Sequence, residues 1–236
     1  MADVTLYQFP GAYGLVSLSP FCTKLEAYLR LAGVGYEAKL GDPRRAPVGK
    51  LPYVKLGDAL IGDSSTIVSV LKTRFGDPLD ASLDARDHAV GHLARRTAEE
   101  HLYWGLLHAR WVDDRAWNGG YRDTIAGMLP APTRAFLPAL LRRGVRKSLH
   151  AHGLGRHAEA EIARRGTEDL DAFVALIGER AFLFGDAPSS YDCSVYAMLA
   201  HLRATPTEHP LVVAFRERPT LAAYCDRMNE RIAWPT

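Results

Sequence analysis

The first residues that could do chemistry lie around a Ser-Pro pair. Ser19 precedes Pro20, and Cys22 follows Ser19 by three positions. Because serine caps helix N-termini and proline loses no hydrogen bond at the first helical position, the pair predicts that a helix begins here. The dipole of this helix is then expected to lower the pKa of the Cys22 thiol. Ser19-x-x-Cys22 thus resembles a redox C-x-x-C pattern in which serine replaces the first cysteine. The simpler interpretation is that Ser19 caps the helix and Cys22 is a small buried residue.

A second group of polar residues lies between positions 50 and 64. Pro52 enters a predicted strand, although a central strand tolerates proline poorly. Lys50, two positions earlier, fits an ordinary surface lysine. Asp63 and Ser64 directly precede a predicted helix, and both are good N-terminal caps. These residue types by themselves predict a capped helix after the turn.

Aromatic and histidine side chains recur further along the chain. Trp104, His108 and Trp111 are spaced i, i+4 and i+7, which is typical of a core-facing helical stripe. His88 and His92 are also four residues apart, but no glutamate completes an H-E-x-x-H pattern. We therefore expect no metal site at these histidines.

The elements that would position these residues begin with a mixture of strand and helix periodicities. Strands are predicted over 4–9, 36–40, 52–56 and 59–61, and helices over 20–32 and 66–75. Strand, helix and strand in that order give a right-handed parallel crossover, and the hairpin at Gly57-Asp58 adds antiparallel strands at one edge. The order therefore predicts a small mixed sheet of thioredoxin-like arrangement.

Strand patterns nearly vanish after a Gly/Pro-containing linker predicted over 76–82. Helical patterns follow over 83–117, 169–177, 189–202, 211–215 and 221–232. We therefore predict two domains: an α/β thioredoxin-like domain over residues 1–78 and an all-α domain over residues 83–236.

One segment of the helical part, residues 124–158, differs in composition because it contains no aspartate or glutamate. Its basic residues are Arg134, Arg142, Arg143, Arg146, Lys147 and Arg156, accompanied by His150, His152 and His157. The favoured interpretation is a helical insertion with a solvated basic face. The alternative is a patch for an anionic partner or a membrane surface.

Length and composition exclude several classes of protein. The 236 residues are 47% hydrophobic, which excludes an intrinsically disordered chain. A net charge of +2 argues against a dedicated nucleic-acid-binding protein. No apolar run is long enough for a membrane span, and no signal peptide is visible. The three cysteines do not form a disulfide framework, so we expect a cytoplasmic protein.

Several motifs in this order resemble those of the cytosolic glutathione S-transferase superfamily. They are Ser19-Pro-Phe-Cys-Thr-Lys-Leu-Glu, Gly49-Lys-Leu-Pro-Tyr-Val, Gly62-Asp-Ser-Ser-Thr-Ile and Gly185-Asp-Ala-Pro-Ser-Ser-Tyr-Asp. The first motif and the tail Pro219-Thr-Leu-x-x-Tyr-Cys-Asp-Arg are most similar to the failed-axon-connections and metaxin-like branch. The matches cover about residues 4–75 and 165–232. Ser189-x-x-Asp192 within them is a capping-box pair, to which we give a structural role.

The resemblance implies glutathione as co-substrate and assigns roles to individual residues. Ser19 takes the position of the catalytic residue that stabilises the glutathione thiolate. The implied glutathione contacts are Lys50, Leu51, Pro52 as a cis-proline, Asp63 and Ser64. The implied walls of a pocket for a hydrophobic electrophile are Tyr13, Tyr103 and Trp111. The resemblance also implies a homodimer, and we expect no bound metal.

Three functions follow, and they differ in what Ser19 and Cys22 do. The first is a glutathione S-transferase that attacks an electrophilic small molecule. The second is a non-catalytic binding or scaffold protein, because the failed-axon-connections and metaxin-like branch uses the fold for interaction or at membranes. The third is a thiol reductase or glutathione-dependent isomerase that depends on Cys22.

Overall fold

The computed structural model of the protein describes residues 4–234, which form two compact units. The first unit contains residues 4–95, 179–197 and 224–234. The second contains residues 96–178 and 198–223. The chain therefore leaves and re-enters each unit, and the domain ranges 1–78 and 83–236 stay a prediction.

The first unit contains a four-stranded sheet with the order β2-β1-β3-β4. Its strands are β1 (Val4–Gln8), β2 (Tyr36–Leu40), β3 (Tyr53–Leu56) and β4 (Ala59–Gly62). β1 is parallel to β2 and antiparallel to β3, which pairs with β4 as a hairpin. Helix α1 (Pro20–Leu31) connects the parallel strands, and α2 (Ser64–Phe75) follows the hairpin. The predicted thioredoxin-like sheet is confirmed.

After α2, the described chain is helical apart from turns and an isolated bridge between Phe182 and Gly185. The helices are α3 (Ala85–Arg96), α4 (Tyr103–Leu107), α5 (Asp114–Ala116), α6 (Arg122–Gly127), α7 (Leu137–His152), α8 (Glu159–Ile177), α9 (Ser190–Arg203), α10 (Pro210–Arg216) and α11 (Pro219–Ile232). The predicted helical C-terminal part is confirmed. Within residues 4–234, no helix has the length and apolar character needed to cross a membrane.

The periodicity predicts one long helix over 83–117, but the structure does not have a regular helix there. π-helical turns at Thr97–Leu102 and His108–Val112 interrupt it, and it breaks at Asp113, where ψ is 118°. The Asp113 side chain caps the next helix by accepting from the Arg115 amide, and its other oxygen accepts from the Thr207 hydroxyl. The break therefore depends on a hydrogen bond to a residue far along the chain.

Glycines allow a close approach inside the second unit. A Cβ on Gly166 of α8 would lie 2.6 Å from Leu211 Cδ1, and one on Gly105 of α4 would lie 2.8 Å from Leu211 Cδ2. Both distances are shorter than any normal carbon contact. The fully buried Leu211 side chain of α10 therefore fits against α4 and α8 because neither facing residue has a side chain.

The segment after α2, predicted as a linker, is fixed within the first unit. The buried Asp80 carboxylate accepts from the Ser190 amide at 2.7 Å and also bonds the Ser190 hydroxyl and the Lys72 ammonium. Lys72 pairs in addition with Asp77 at 2.9 Å. These bonds attach residues 77–80 to α2 and to the start of α9.

The capping pair Ser189 and Asp192 is formed in the first unit. The Ser189 amide donates to Asp192 Oδ2 at 2.8 Å, and the Asp192 amide donates back to Ser189 Oγ at 3.3 Å. Asp192 is fully buried and also accepts from the Leu183 amide and the Tyr224 hydroxyl. One carboxylate thus joins α9, α11 and the turn before α9.

Replacing Asp192 should destabilise the fold without altering chemistry. Asp192→Ala leaves four buried donors without an acceptor, namely the Leu183 amide, the Ser189 amide and hydroxyl, and the Tyr224 hydroxyl. We therefore expect the free energy of unfolding to fall by about 2–3 kcal/mol. Urea unfolding followed by circular dichroism measures this change. Asp186→Ala removes an exposed carboxylate nearby and should change the free energy by less than about 0.5 kcal/mol. Equal unfolding midpoints for the two variants would contradict the assignment.

Candidate functional site

Ser19 lies at the N-terminus of α1, as its sequence position predicts. Its backbone is extended (φ −99°, ψ 125°), and its carbonyl accepts from the amides of Cys22 at 3.1 Å and Thr23 at 3.0 Å. Its hydroxyl caps none of the helix amides and instead hydrogen-bonds the Cys22 thiol. The half-buried hydroxyl therefore lies at the positive end of the helix beside a sulfur.

Cys22 is the centre of a buried cluster. It is fully buried and packs with Leu51 and Tyr53, and the hydroxyls of Ser17 and Ser19 hydrogen-bond its sulfur. Burial nevertheless raises the pKa of the Cys22 thiol to about 11. The lowering expected from the helix dipole is therefore wrong, because loss of hydration disfavours the thiolate more than the dipole and hydrogen bonds favour it. The simpler interpretation, a small buried cysteine, is what the structure has.

Asp63 is the N-terminal cap of α2. One oxygen, Oδ1, accepts from the amides of Ser65 at 3.1 Å and Thr66 at 2.9 Å. The φ angle of Asp63 is 68°, a region that residues with a Cβ rarely adopt. Helix α2 begins two residues earlier than the apolar spacing predicts, because this cap fixes its first turn.

Ser64 is the first residue of α2 and is 4% exposed. Within the described residues, its amide donates to no main-chain carbonyl, as expected at the first position of a helix. Next to it, the ammonium group of the buried Lys24 from α1 donates to the Ser65 hydroxyl at 2.8 Å. The turn therefore combines two donors, a helix N-terminus and a cation, which together can bind a carboxylate.

Sheet register brings the segment of Pro52 to the same place. The Leu51–Pro52 peptide bond is cis, and Leu51 packs on Cys22. Tyr53 lies opposite Gly62 in the antiparallel β3–β4 hairpin. Pro52, just before Tyr53, and Asp63, just after Gly62, are therefore at the same end of the hairpin. In the part of the chain that the structure describes, the Leu51 main chain makes no hydrogen bond to other main-chain atoms. Lys50 is exposed beside this segment.

The predicted electrophile residues divide between the units. Tyr13 lies in the first unit, in the loop before α1, with a φ of 56°. Tyr103 belongs to the second unit, where burial raises the pKa of its phenol to about 12 and its ring meets Trp104 edge-on. Trp111 packs against Trp117 and Tyr121 in the same unit. Tyr103 and Trp111 therefore have aromatic neighbours of their own, and their role as pocket walls stays a prediction.

The predicted stripe over Trp104, His108 and Trp111 packs against other elements of the second unit. Trp104 stacks on His152 of α7, with ring centroids 4.2 Å apart. His108 Nδ1 lies 3.1 Å from Nε2 of His209. No group of three metal-ligating side chains occurs among residues 4–234.

Sequence reasoning missed Lys24 and Glu26, which are both buried in α1. Glu26 accepts from Gln8 Nε2 at 2.5 Å and from the Tyr36 hydroxyl at 2.8 Å, which ties α1 to β1 and β2. Charged residues of a helix normally mark its solvent face. No spacing signal identifies them here, because α1 is buried on nearly all sides from Pro20 to Leu29.

Family models match both parts of the chain. The model for the glutathione S-transferase N-terminal domain matches residues 20–116, and the model for the glutathione S-transferase C-terminal domain matches residues 166–228. A solved beta-etherase from Sphingobium superposes with a TM-score of 0.65 at 19% identity, over 96% of this chain and 95% of that one, which shows the fold.

Sequence relatives extend over nearly the whole chain. An isoprene-epoxide glutathione S-transferase from Rhodococcus is 32% identical over 97% of this chain and 98% of its own length. Failed axon connections from Drosophila melanogaster is 30% identical over 97% of this chain and 57% of its own length. Metaxin-1 from Macaca fascicularis is 28% identical over 95% of this chain and 73% of its own. The predicted resemblance is confirmed, and the chain belongs to the glutathione S-transferase family.

Proposed function

We propose that the protein binds glutathione at the first unit and transfers it to an electrophilic small molecule. One observation supports this most directly. The N-terminus of α1 with Ser19, the Leu51–Pro52 segment and the amide and hydroxyl donors of Ser64 meet at one end of the β3–β4 hairpin. A tripeptide with a thiol and two carboxylates needs such a set of donors.

The binding roles follow from the charges and donors at this end. The γ-glutamyl carboxylate would accept from the Ser64 amide and hydroxyl, with Lys24 adding positive charge. The carboxylate of Asp63 would pair with the ammonium group of glutathione. The Leu51 main chain would pair with the cysteinyl residue like an added strand, and Lys50 would reach the glycine carboxylate.

The chemistry requires a thiolate. A free thiol with a pKa of about 8.5 is only ~3% ionised at pH 7. The dipole of α1 and a hydrogen bond from Ser19 would both favour the ionised sulfur. The thiol proton leaves to solvent, sulfur forms a bond to the electrophilic carbon, and the bond from that carbon to its leaving atom breaks. With an epoxide, the ring oxygen then takes a proton from water. The name of the Rhodococcus relative makes a small epoxide the first electrophile to test.

Ser19 must release its present partner for this role. Its hydroxyl hydrogen-bonds the Cys22 thiol, so a second sulfur would compete for the same donor. The buried Cys22 stays protonated and is a weak acceptor compared with a thiolate. An arriving glutathione thiolate is therefore favoured as the acceptor.

Substitutions at the two serines should separate binding from turnover. Ser64→Ala removes a hydrogen bond to a carboxylate, so we expect the Kd for glutathione to rise by about tenfold or more. Ser19→Ala should leave Kd within about threefold and lower kcat by about 10- to 100-fold, since its donor matters most to the thiolate. Isothermal titration calorimetry with glutathione and turnover with a small epoxide measure the two effects.

Ser69→Ala is the matched control, because Ser69 is exposed on the same helix α2. It should change neither constant. Wild-type protein that fails to bind glutathione would overturn the proposal. Wild-type binding without turnover of any electrophile would favour a non-catalytic binding protein. The similarity to Failed axon connections and to metaxin-1 supports this alternative.

The Cys22-dependent reductase makes the opposite prediction about thiol reactivity. Because the thiol of Cys22 is buried and its pKa is near 11, we expect negligible alkylation by iodoacetamide in the native protein at pH 8. All three cysteines should react after denaturation, since each is buried in the fold. Mass spectrometry of native and denatured samples tests this. Rapid native labelling at Cys22 would restore the reductase as a candidate.

A further inference from the structure

A cavity of about 680 Å³ lies in the second unit, and none of its lining residues is one of the proposed glutathione contacts. Successive turns of α7 form one wall, which carries Arg143, Arg146, Lys147 and His150. Another wall contains His108 and Val112 of the π-helical turn. Its volume is within the usual range for sites of small organic ligands.

Three of the cations that line this cavity have no partner among the described residues. Arg143, Arg146 and Lys147 are exposed, and none makes a hydrogen bond or ion pair with a described residue. Other arginines of the same unit are paired: Arg115 binds Asp113 and Glu159. Residues 124–158 contain no aspartate or glutamate, so no carboxylate of α7 itself can pair with them.

Spacing makes this arrangement unfavourable without an anion. Arg146 and Lys147 follow Arg143 by three and four residues, so both charges are neighbours of Arg143 on the helix surface. Like charges at these spacings destabilise a helix. A ligand with several negative charges between these side chains would replace repulsion by attraction.

Arg142 holds the two walls together. Its guanidinium donates to the carbonyls of Trp111 at 2.7 Å and Val112 at 2.9 Å, and it lies 4.9 Å from the ring centre of Trp117. It also pairs with Asp114 at 2.6 Å. The cationic wall is therefore fixed to the π-helical turn before any ligand binds, which lowers the entropic cost of binding.

His108 adds a neutral donor. His209 Nδ1 accepts from the Leu211 amide at 3.2 Å, so the proton of His209 is on Nε2 and is donated to His108 Nδ1. The proton of His108 is consequently on Nε2. Burial lowers the pKa of both rings, that of His209 to about 4, so both stay neutral at physiological pH.

We propose that this cavity binds a small soluble organic anion that carries at least two phosphate groups, of about the size of a nucleoside diphosphate. Guanidinium groups match phosphate oxygens with two parallel hydrogen bonds, which favours phosphate over isolated halide-like anions. Val112, Ala139 and Leu149 provide apolar lining for the organic part. A flat lipid surface would instead meet the exposed side chains of Phe136 and Leu140 rather than a concave wall.

The test uses ADP and inorganic pyrophosphate as probes on the full-length protein. Isothermal titration calorimetry should show wild-type binding of ADP that weakens as salt rises. The triple variant Arg143→Gln, Arg146→Gln, Lys147→Gln should raise the Kd for ADP at least about tenfold. The control variant Lys55→Gln, Arg74→Gln, Arg122→Gln removes the same charge from exposed positions elsewhere and should leave Kd within about twofold.

Three results would overturn the proposal. The first is wild-type protein that binds neither ADP nor pyrophosphate. The second is an equal loss in both triple variants, which would make net charge the cause. The third is wild-type protein that sediments with vesicles of phosphatidylserine and phosphatidylcholine and is not released by ADP. If the triple variant has a lowered Tm, the single variant Arg146→Lys is used instead. It keeps the positive charge but loses the planar guanidinium, so it should still weaken ADP binding. Unchanged ADP binding by this variant would overturn the proposal.

Discussion

The contact between the first turn of α1 and the start of β3 is the constraint on which the candidate site depends. Cys22, Leu51 and Tyr53 form a buried cluster, against which Tyr7 of β1 also packs. Tyr7 and Tyr53 stack with ring centroids 4.5 Å apart. This packing fixes where the helix axis points, and therefore where Ser19 and the positive end of the dipole lie relative to the Leu51–Pro52 segment. The burial that gives this precision also keeps Cys22 protonated, so the residue that positions the helix is unsuited to thiol chemistry.

Much of the first unit could be predicted from local pattern because its elements have short-range signals. β2 has the predicted bounds, and α1 begins at Pro20 as the Ser-Pro pair indicates. Hydrophobic alternation and turn residues determine these features within a few positions. Asp63 as a cap was equally accessible, because capping depends on a residue and the amides two and three positions later.

The errors of prediction have one physical origin, the dependence on distant partners. The pKa of Cys22 follows from burial by segments 30 residues away, whereas the dipole argument considers only its own helix. The helix break at Asp113 depends on Thr207. The charges of Lys24 and Glu26 predict exposure to solvent, but hydrogen bonds to Ser65 and Tyr36 hold them inside the fold. The cavity beside α7 could not be predicted either. The sequence shows the basic residues of α7 but not that the π-helical turn at His108–Val112 forms the facing wall.

The bonds of Asp80 have a consequence for how such a chain can be divided or recombined. Lys72 belongs to α2 and Ser190 to α9, yet both depend on one carboxylate in a segment that looks like a spacer. A fragment ending at residue 78 would lack this carboxylate and would leave the ammonium group of Lys72 with Asp77 alone. The natural breakpoints for exchanging parts between related chains are therefore not at residues 76–82. In this chain the segment that resembles a flexible linker is fixed by hydrogen bonds. Grafting a helical part from another protein after it would therefore require an acceptor equivalent to Asp80.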